Sequence, residues 1–208
     1  MNWYITITYI SLAICLLSCL YHLIRLISLG KPTEYSKKLG KTSAAINYSF
    51  TGAMSPKKKE SAYLHLPTYT AGILYHIGTF LSIFLFFLFL LKLEPQGWLR
   101  WTIIGILIIT GLCGYGILIK RMIKKDLRVL SNPDDFISNL LVSIFQLMTA
   151  LVLYSGLYFP AYFILTSVLL IYLPLGKLKH TIYFFAARYH LGFFYGWRGV
   201  WPPKKKIE

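Results

Sequence analysis

Apolar positions along this chain come in long unbroken runs, without the alternating or one-sided pattern of a soluble strand or helix. The first run, WYITITYISLAICLLSCLYHLI, opens at Trp3 and ends near Arg25. The second, YTAGILYHIGTFLSIFLFFLFLL, covers Tyr69 to Leu91. The third, WLRWTIIGILIITGLCGYGILI, opens on Trp98 and Trp101, and the fourth runs from about Phe136 to Tyr154 after the capping segment SNPDD. The fifth covers about Tyr158 to Tyr172 and continues into LPLGKLKH, residues 173–180. About 20 apolar residues suffice for a helix to cross the ~30 Å hydrocarbon layer. At 1.5 Å per residue the second run is about 34 Å long, enough to span with slight tilt. The pattern therefore predicts an all-α integral membrane protein, a five-transmembrane-helix bundle. The first run has no basic start and no small-residue cleavage site, so it reads as a retained helix and not a signal peptide.

Charge then sets the orientation. The segment from Arg25 to Ser61 carries Lys31, Lys37, Lys38, Lys41 and the cluster Lys57, Lys58, Lys59. After the third run come Lys120, Arg121, Lys124, Lys125 and Arg128, and the C-terminal part holds Lys177, Lys179, Arg188, Arg198 and Lys204 to Lys206. The other two loops are nearly balanced or uncharged. Alternate loops are basic, which places the N-terminus outside and the C-terminus inside, in the cytoplasmic (inner) membrane. The same rule accounts for the net charge of +15, which in a soluble protein would suggest nucleic acid. With 56% of residues hydrophobic and 14% charged, the chain is more apolar than a soluble domain, at ~45–50%. Two parts follow: a five-helix transmembrane domain over 1–190 and a basic, aromatic cytoplasmic tail over 191–208. The interleaved stretch RYHLGFFYGWRGVWPPKKK reads first as an anchor on anionic membrane lipid, and second as a docking surface for a soluble partner. Cys15, Cys19 and Cys113 lie inside apolar runs without metal-ligand spacing.

Histidine supplies the candidate chemistry, because ionisable residues inside membrane helices are costly and mark function by default. His76 is the deepest of the five, about eight residues or roughly 12 Å into the second span. Gly72 lies one turn before it and Gly78 and Thr79 follow, small residues that leave room for something flat. Buried imidazole serves as a hydrogen-bonder, a proton relay or an axial haem ligand. A haem clamped between helices takes one histidine from each. His180, where the fifth span arrives at the inside face, is the candidate partner, and Lys177 and Lys179 beside it suit propionates as well as a basic flank. His22, His65 and His190 read as structural or interfacial. Gly111, Gly114 and Gly116 in the third span read as close helix packing, or as a shallow porphyrin wall.

LYHIG, Leu74 to Gly78, and PLGKLKH, Pro174 to His180, resemble the two histidine segments of the respiratory nitrate reductase gamma-subunit family, five-span membrane cytochromes b. The resemblance covers about residues 1–185. It implies His76 and His180 as axial ligands of a haem b near the cytoplasmic face. The outer haem of that family would be ligated ten residues after His76 and eighteen before His180. Phe86 and Tyr162 stand there and cannot replace a histidine pair, so one haem is expected, not two.

The resemblance implies an electron-transfer membrane anchor of a quinone-linked oxidoreductase complex, with quinone as diffusible substrate. An iron–sulfur or similar redox subunit would dock on the cytoplasmic side. The chain carries no nucleotide fingerprint, iron–sulfur cysteines or hydrolytic constellation. A cofactor-free transporter or a purely structural anchor is the alternative, though all seven acidic residues lie in loops or tails, and coupled transport usually needs buried carboxylates.

Overall fold

A computed structural model describes residues 2–30, 32–56 and 64–203. Lys31, Lys57 to Lys59 and Lys204 to Lys206, which the loop-charge argument uses, lie outside the described residues. No strand occurs among those described. Five helices are long and apolar enough to cross a membrane: α1 (Trp3–Ser28), α3 (Leu66–Leu90), α4 (Gly97–Ile123), α6 (Pro133–Tyr154) and α7 (Phe159–Leu175), the last preceded by a 3-10 turn at Gly156–Tyr158. The chain is a multi-pass membrane protein. Three further α-helices among the described residues lie outside the five spans: α2 (Thr42–Phe50), α5 (Lys125–Val129) and, after the last span, α8 (His180–Trp197).

Each predicted span is a helix, and the ends differ by a few residues. The largest difference is at the fifth. α7 stops at Leu175, where Gly176 takes an extended backbone (ψ −165°). A 3-10 turn over Lys177–Lys179 follows, and His180 is the first residue of α8. LPLGKLKH therefore holds the end of α7 at Leu173–Leu175 and then a helix break, with His180 beyond it.

The chain divides into two compact units. The first comprises Met1–Leu17 and Pro67–Leu178. Its centre is α6, half of whose apolar window is buried against 11–33% for the other four spans. Asn132 and Asp135 start α6 with a reciprocal capping box, each side chain 3.0 Å from the other's backbone N–H, and Pro133 takes the first helical turn. That arrangement satisfies the N–H groups a helix leaves unpaired. At the other end the Arg100 guanidinium donates to the carbonyls of Leu153 and Tyr154. α4 lies close to α6 because Gly111 faces Leu147 and Gly114 faces Ser143 and Tyr75. The start of α1 packs through Tyr4, stacked on Phe163, and through Thr8, whose hydroxyl is 3.1 Å from the Phe163 carbonyl and 3.0 Å from Ser167 Oγ. Small polar residues of this kind join helices where lipid removes the hydrophobic drive between them.

The second unit comprises Ser18–Leu66 and Lys179–Glu208. Here α2 lies along α8. Ala45 and Ser49 are fully buried, and Gly192 and Gly196 bring the two backbones together: a Cβ on Gly192 would sit 2.5 Å from the Ile46 Cα. The segment read from sequence as an aromatic tail is thus helical through Trp197. The segment before α2 is tied to the end of α8 by Leu39 N–H to the Trp197 carbonyl (2.8 Å), Trp197 Nε1–H to the Ser36 carbonyl (2.7 Å) and Arg198 to Glu34 (2.7 Å).

Candidate functional site

His76 sits on α3 with its side chain exposed, and it shares that exposed face with Ile73, Ile77 and Phe80. Its Nδ1 is 2.7 Å from the carbonyl oxygen of Gly72, one turn back. A carbonyl only accepts, so Nδ1 carries the proton and donates. Nε2 is then the basic nitrogen, pointing its lone pair away from the helix. This is the arrangement by which a protein fixes the tautomer of a ligating histidine. Gly72 itself has nothing within 4 Å of where a Cβ would stand. Gly78 and Thr79, the other small residues near the imidazole, instead face Thr110 and Gln146, so of the three positions only Gly72 has open space beside it.

His76 belongs to the first unit and His180 to the second, and each is described in its own surroundings. His180 is exposed and heads α8. Lys177, on the first unit, makes an ion pair with Asp135, which also has Arg121 at 3.6 Å. Its charge is thus already partnered within the protein. Lys179 is partly buried at the N-cap of α8.

The remaining histidines lie elsewhere. His22 Nδ1 is 3.0 Å from the Tyr183 hydroxyl, with the rings edge to face. His65 lies in the turn before α3, exposed, and His190 is exposed on α8. Among the described residues no group of three or more His, Cys, Asp or Glu converges as a metal site. Of the third-span glycines, Gly111 and Gly114 are packing positions, and Gly116 has nothing within 4 Å of its Cβ position.

Phe86 and Tyr162 are both buried in the first unit, at 3% and 0% exposure. Tyr162 is enclosed by rings: stacked on Phe145 at 5.8 Å, and edge-on to Phe89 at 5.6 Å and to Phe163 at 5.4 Å. The space at these two positions is filled by aromatic side chains.

Sequence reasoning missed one feature, a buried polar stripe on α6. Asp135, Ser138, Ser143, Gln146 and Thr149 are all buried. The signal was present as polar residues at helical spacing inside an apolar run, but attention to ionisable groups passes over amides and hydroxyls. Gln146 is the largest of these. Its Nε2 donates to the Tyr75 carbonyl at 3.0 Å and to Thr79 Oγ1 at 2.9 Å.

Comparison with protein families, with curated proteins and with solved structures finds no match to this chain.

Proposed function

We propose that this protein is the electron-transfer membrane anchor of a quinone-linked oxidoreductase complex, carrying one haem b near the cytoplasmic face. The observation that carries the proposal is His76: an imidazole on an exposed, otherwise apolar face of a membrane-crossing helix, with Nδ1 committed to Gly72 and Nε2 without a hydrogen-bond partner among the described residues. A polar group at membrane depth needs a partner, and an iron ion above Nε2 is one that this tautomer suits. The residues at this position fit the group. The open side of Gly72 leaves room for a macrocycle, and His180 is the second ligand that the sequence resemblance offers. Haem supplies one-electron redox chemistry when bound. The chain's part is to orient the imidazole through its bond to Gly72, within an apolar setting.

Three further parts complete the reading. Loop charge favours an N-terminus outside and a C-terminus inside the cytoplasmic membrane. The aromatic filling around Tyr162 and Phe86 supports a single haem. Quinone and a cytoplasmic redox subunit follow from the family resemblance.

The test is a visible spectrum of the purified protein, oxidised and dithionite-reduced, with a pyridine haemochrome assay. Reduced b-type bands at a stoichiometry near one are expected when the protein is produced with haem available. Folded protein without such bands overturns the proposal. His76→Ala and His180→Ala should each abolish haem binding, whereas His190→Ala should retain it.

A further inference from the structure

The polar groups inside the first unit lie in separate hydrogen-bonded clusters along one side of α6. On α6, Asp135, Ser138, Asn139, Ser143, Gln146 and Thr149 fall on one side at helical spacing. From Asp135 to Thr149 that side extends ~21 Å at 1.5 Å per residue, over half the ~30 Å hydrocarbon thickness. Ser138 Oγ is 3.1 Å from the Tyr172 hydroxyl. Tyr75 donates to the Asn139 carbonyl at 3.0 Å, and the Ser143 hydroxyl is 3.1 Å from Asn139 Oδ1 and 3.4 Å from the Tyr75 hydroxyl. Gln146 continues the series through Thr79 and the Tyr75 carbonyl.

Beyond Gln146 the hydrogen bonding breaks off while the polar groups go on. Gln146 Oε1, Ser82 Oγ and the Tyr162 hydroxyl are fully buried, and none of them has a hydrogen-bond partner among the described residues. Gln146 Oε1 and Thr110 Oγ1 converge on the same point beside Gly78, and Ser82 lies one turn further along α3. The Thr149 and Thr166 hydroxyls neighbour that of Tyr162, yet no hydrogen bond of normal geometry forms to it. Thr149 and Thr166 donate instead to the carbonyls of Phe145 and Tyr162. Three unpaired groups in one core are costly unless a polar ligand completes them. Residues 136–154 carry no charge, so neither a metal ion nor a carboxylate is matched. Water suits each of them: it can donate to Gln146 Oε1 and accept from the Ser82 or the Tyr162 hydroxyl, and a buried water needs two to four such polar partners.

We infer that these clusters line a hydrated proton-access path, leading from the Asp135 end of the bundle to the Tyr162 hydroxyl. A proton reaching one oxygen forms an O–H bond there while an O–H bond on its far side breaks and passes a proton on. Every oxygen finishes neutral. The Gln146 amide positions the waters and carries no proton itself. The rings of Phe89, Phe145 and Phe163 close around Tyr162, so the path gives access to the membrane interior and is not an open pore. It serves a group that takes up or releases protons within the bilayer. It stands independently of haem at His76.

The test uses the intact protein in phosphatidylcholine–phosphatidylglycerol nanodiscs transferred to D2O. Infrared difference spectra against Tyr162→Phe isolate the Tyr162 hydroxyl. It should deuterate at least about a hundredfold faster than the buried backbone amides of Val152 and Leu153, which exchange only on opening. Gln146→Leu should slow that exchange at least about tenfold, since an apolar constriction sheds water. Exchange of the hydroxyl only in step with those amides overturns the inference, as does an unchanged rate in folded Gln146→Leu. Should that variant not fold, Ser82→Ala decides: it removes only an unpartnered hydroxyl, and a rate equal to the parent protein's overturns the inference.

Discussion

At the scale of single residues, two glycines of α3 six positions apart have opposite duties. A Cβ at Gly78 would collide with Thr110 and Gln146, whereas one at Gly72 would meet nothing within 4 Å. Gly78→Ala should therefore destabilise the protein by about 1–3 kcal/mol, the usual cost of overpacking. Gly72→Ala should leave thermal unfolding in detergent unchanged or slightly raised, because Ala is the better helix former by up to about 1 kcal/mol. Gly72→Leu separates fold from cofactor: the proposed function requires haem content to fall while the unfolding temperature stays. Sequence spacing identified both glycines as small positions near His76. It could not say which one touches protein, because that depends on where α4 and α6 pass.

At the scale of elements, the pairing of α2 with α8 rests on small residues, Ala45 and Ser49 against Gly192 and Gly196. Gly192→Val should push the two apart, and the measurement is hydrogen exchange: amides of α2 should lose protection while those of α6 keep theirs. The loop joined to this pair has its own pH dependence. Burial pushes the Glu34 carboxyl up, but hydrogen bonds from Arg198 and Ser36 outweigh it and hold the group below its ordinary value of 4.5. A carboxyl whose folded value is depressed contributes stability fully above its unfolded value, and loses it as pH falls through the folded one. Protection of the Leu39 amide, bonded to the Trp197 carbonyl, should accordingly fall, relative to the intrinsic exchange rate at each pH, below about pH 4.5, and Arg198→Ala should remove that acid dependence. The helix at Thr42–Phe50 escaped the sequence reading because its TSAAINYSF is weakly apolar. Its small residues become meaningful only beside the glycines of α8, some 145 residues later.

At the scale of the whole molecule, the orientation proposed from loop charge has a direct check. With Cys15, Cys19 and Cys113 replaced by serine, Leu157→Cys sits between α6 and α7 and Leu130→Cys sits between α5 and α6, both at highly exposed positions. A membrane-impermeant maleimide should label the first in intact cells and the second only after permeabilisation. The reverse pattern would turn the topology over. The sequence by itself determined the five spans and their class, since a run of apolar residues fixes a membrane helix through length and composition alone. It also singled out His76, because an ionisable group in such a run stands out locally. What only the tertiary structure decided is which side chains meet. His76 bonding Gly72 through Nδ1, Lys177 committed to Asp135, rings closing on Tyr162, and hydroxyls aligned behind Gln146 all depend on rotamers and helix contacts. In a chain whose spans are apolar on every side, hydrophobic pattern does not specify which face of each helix turns inward. Small and polar residues make that choice, and their partners lie on other helices.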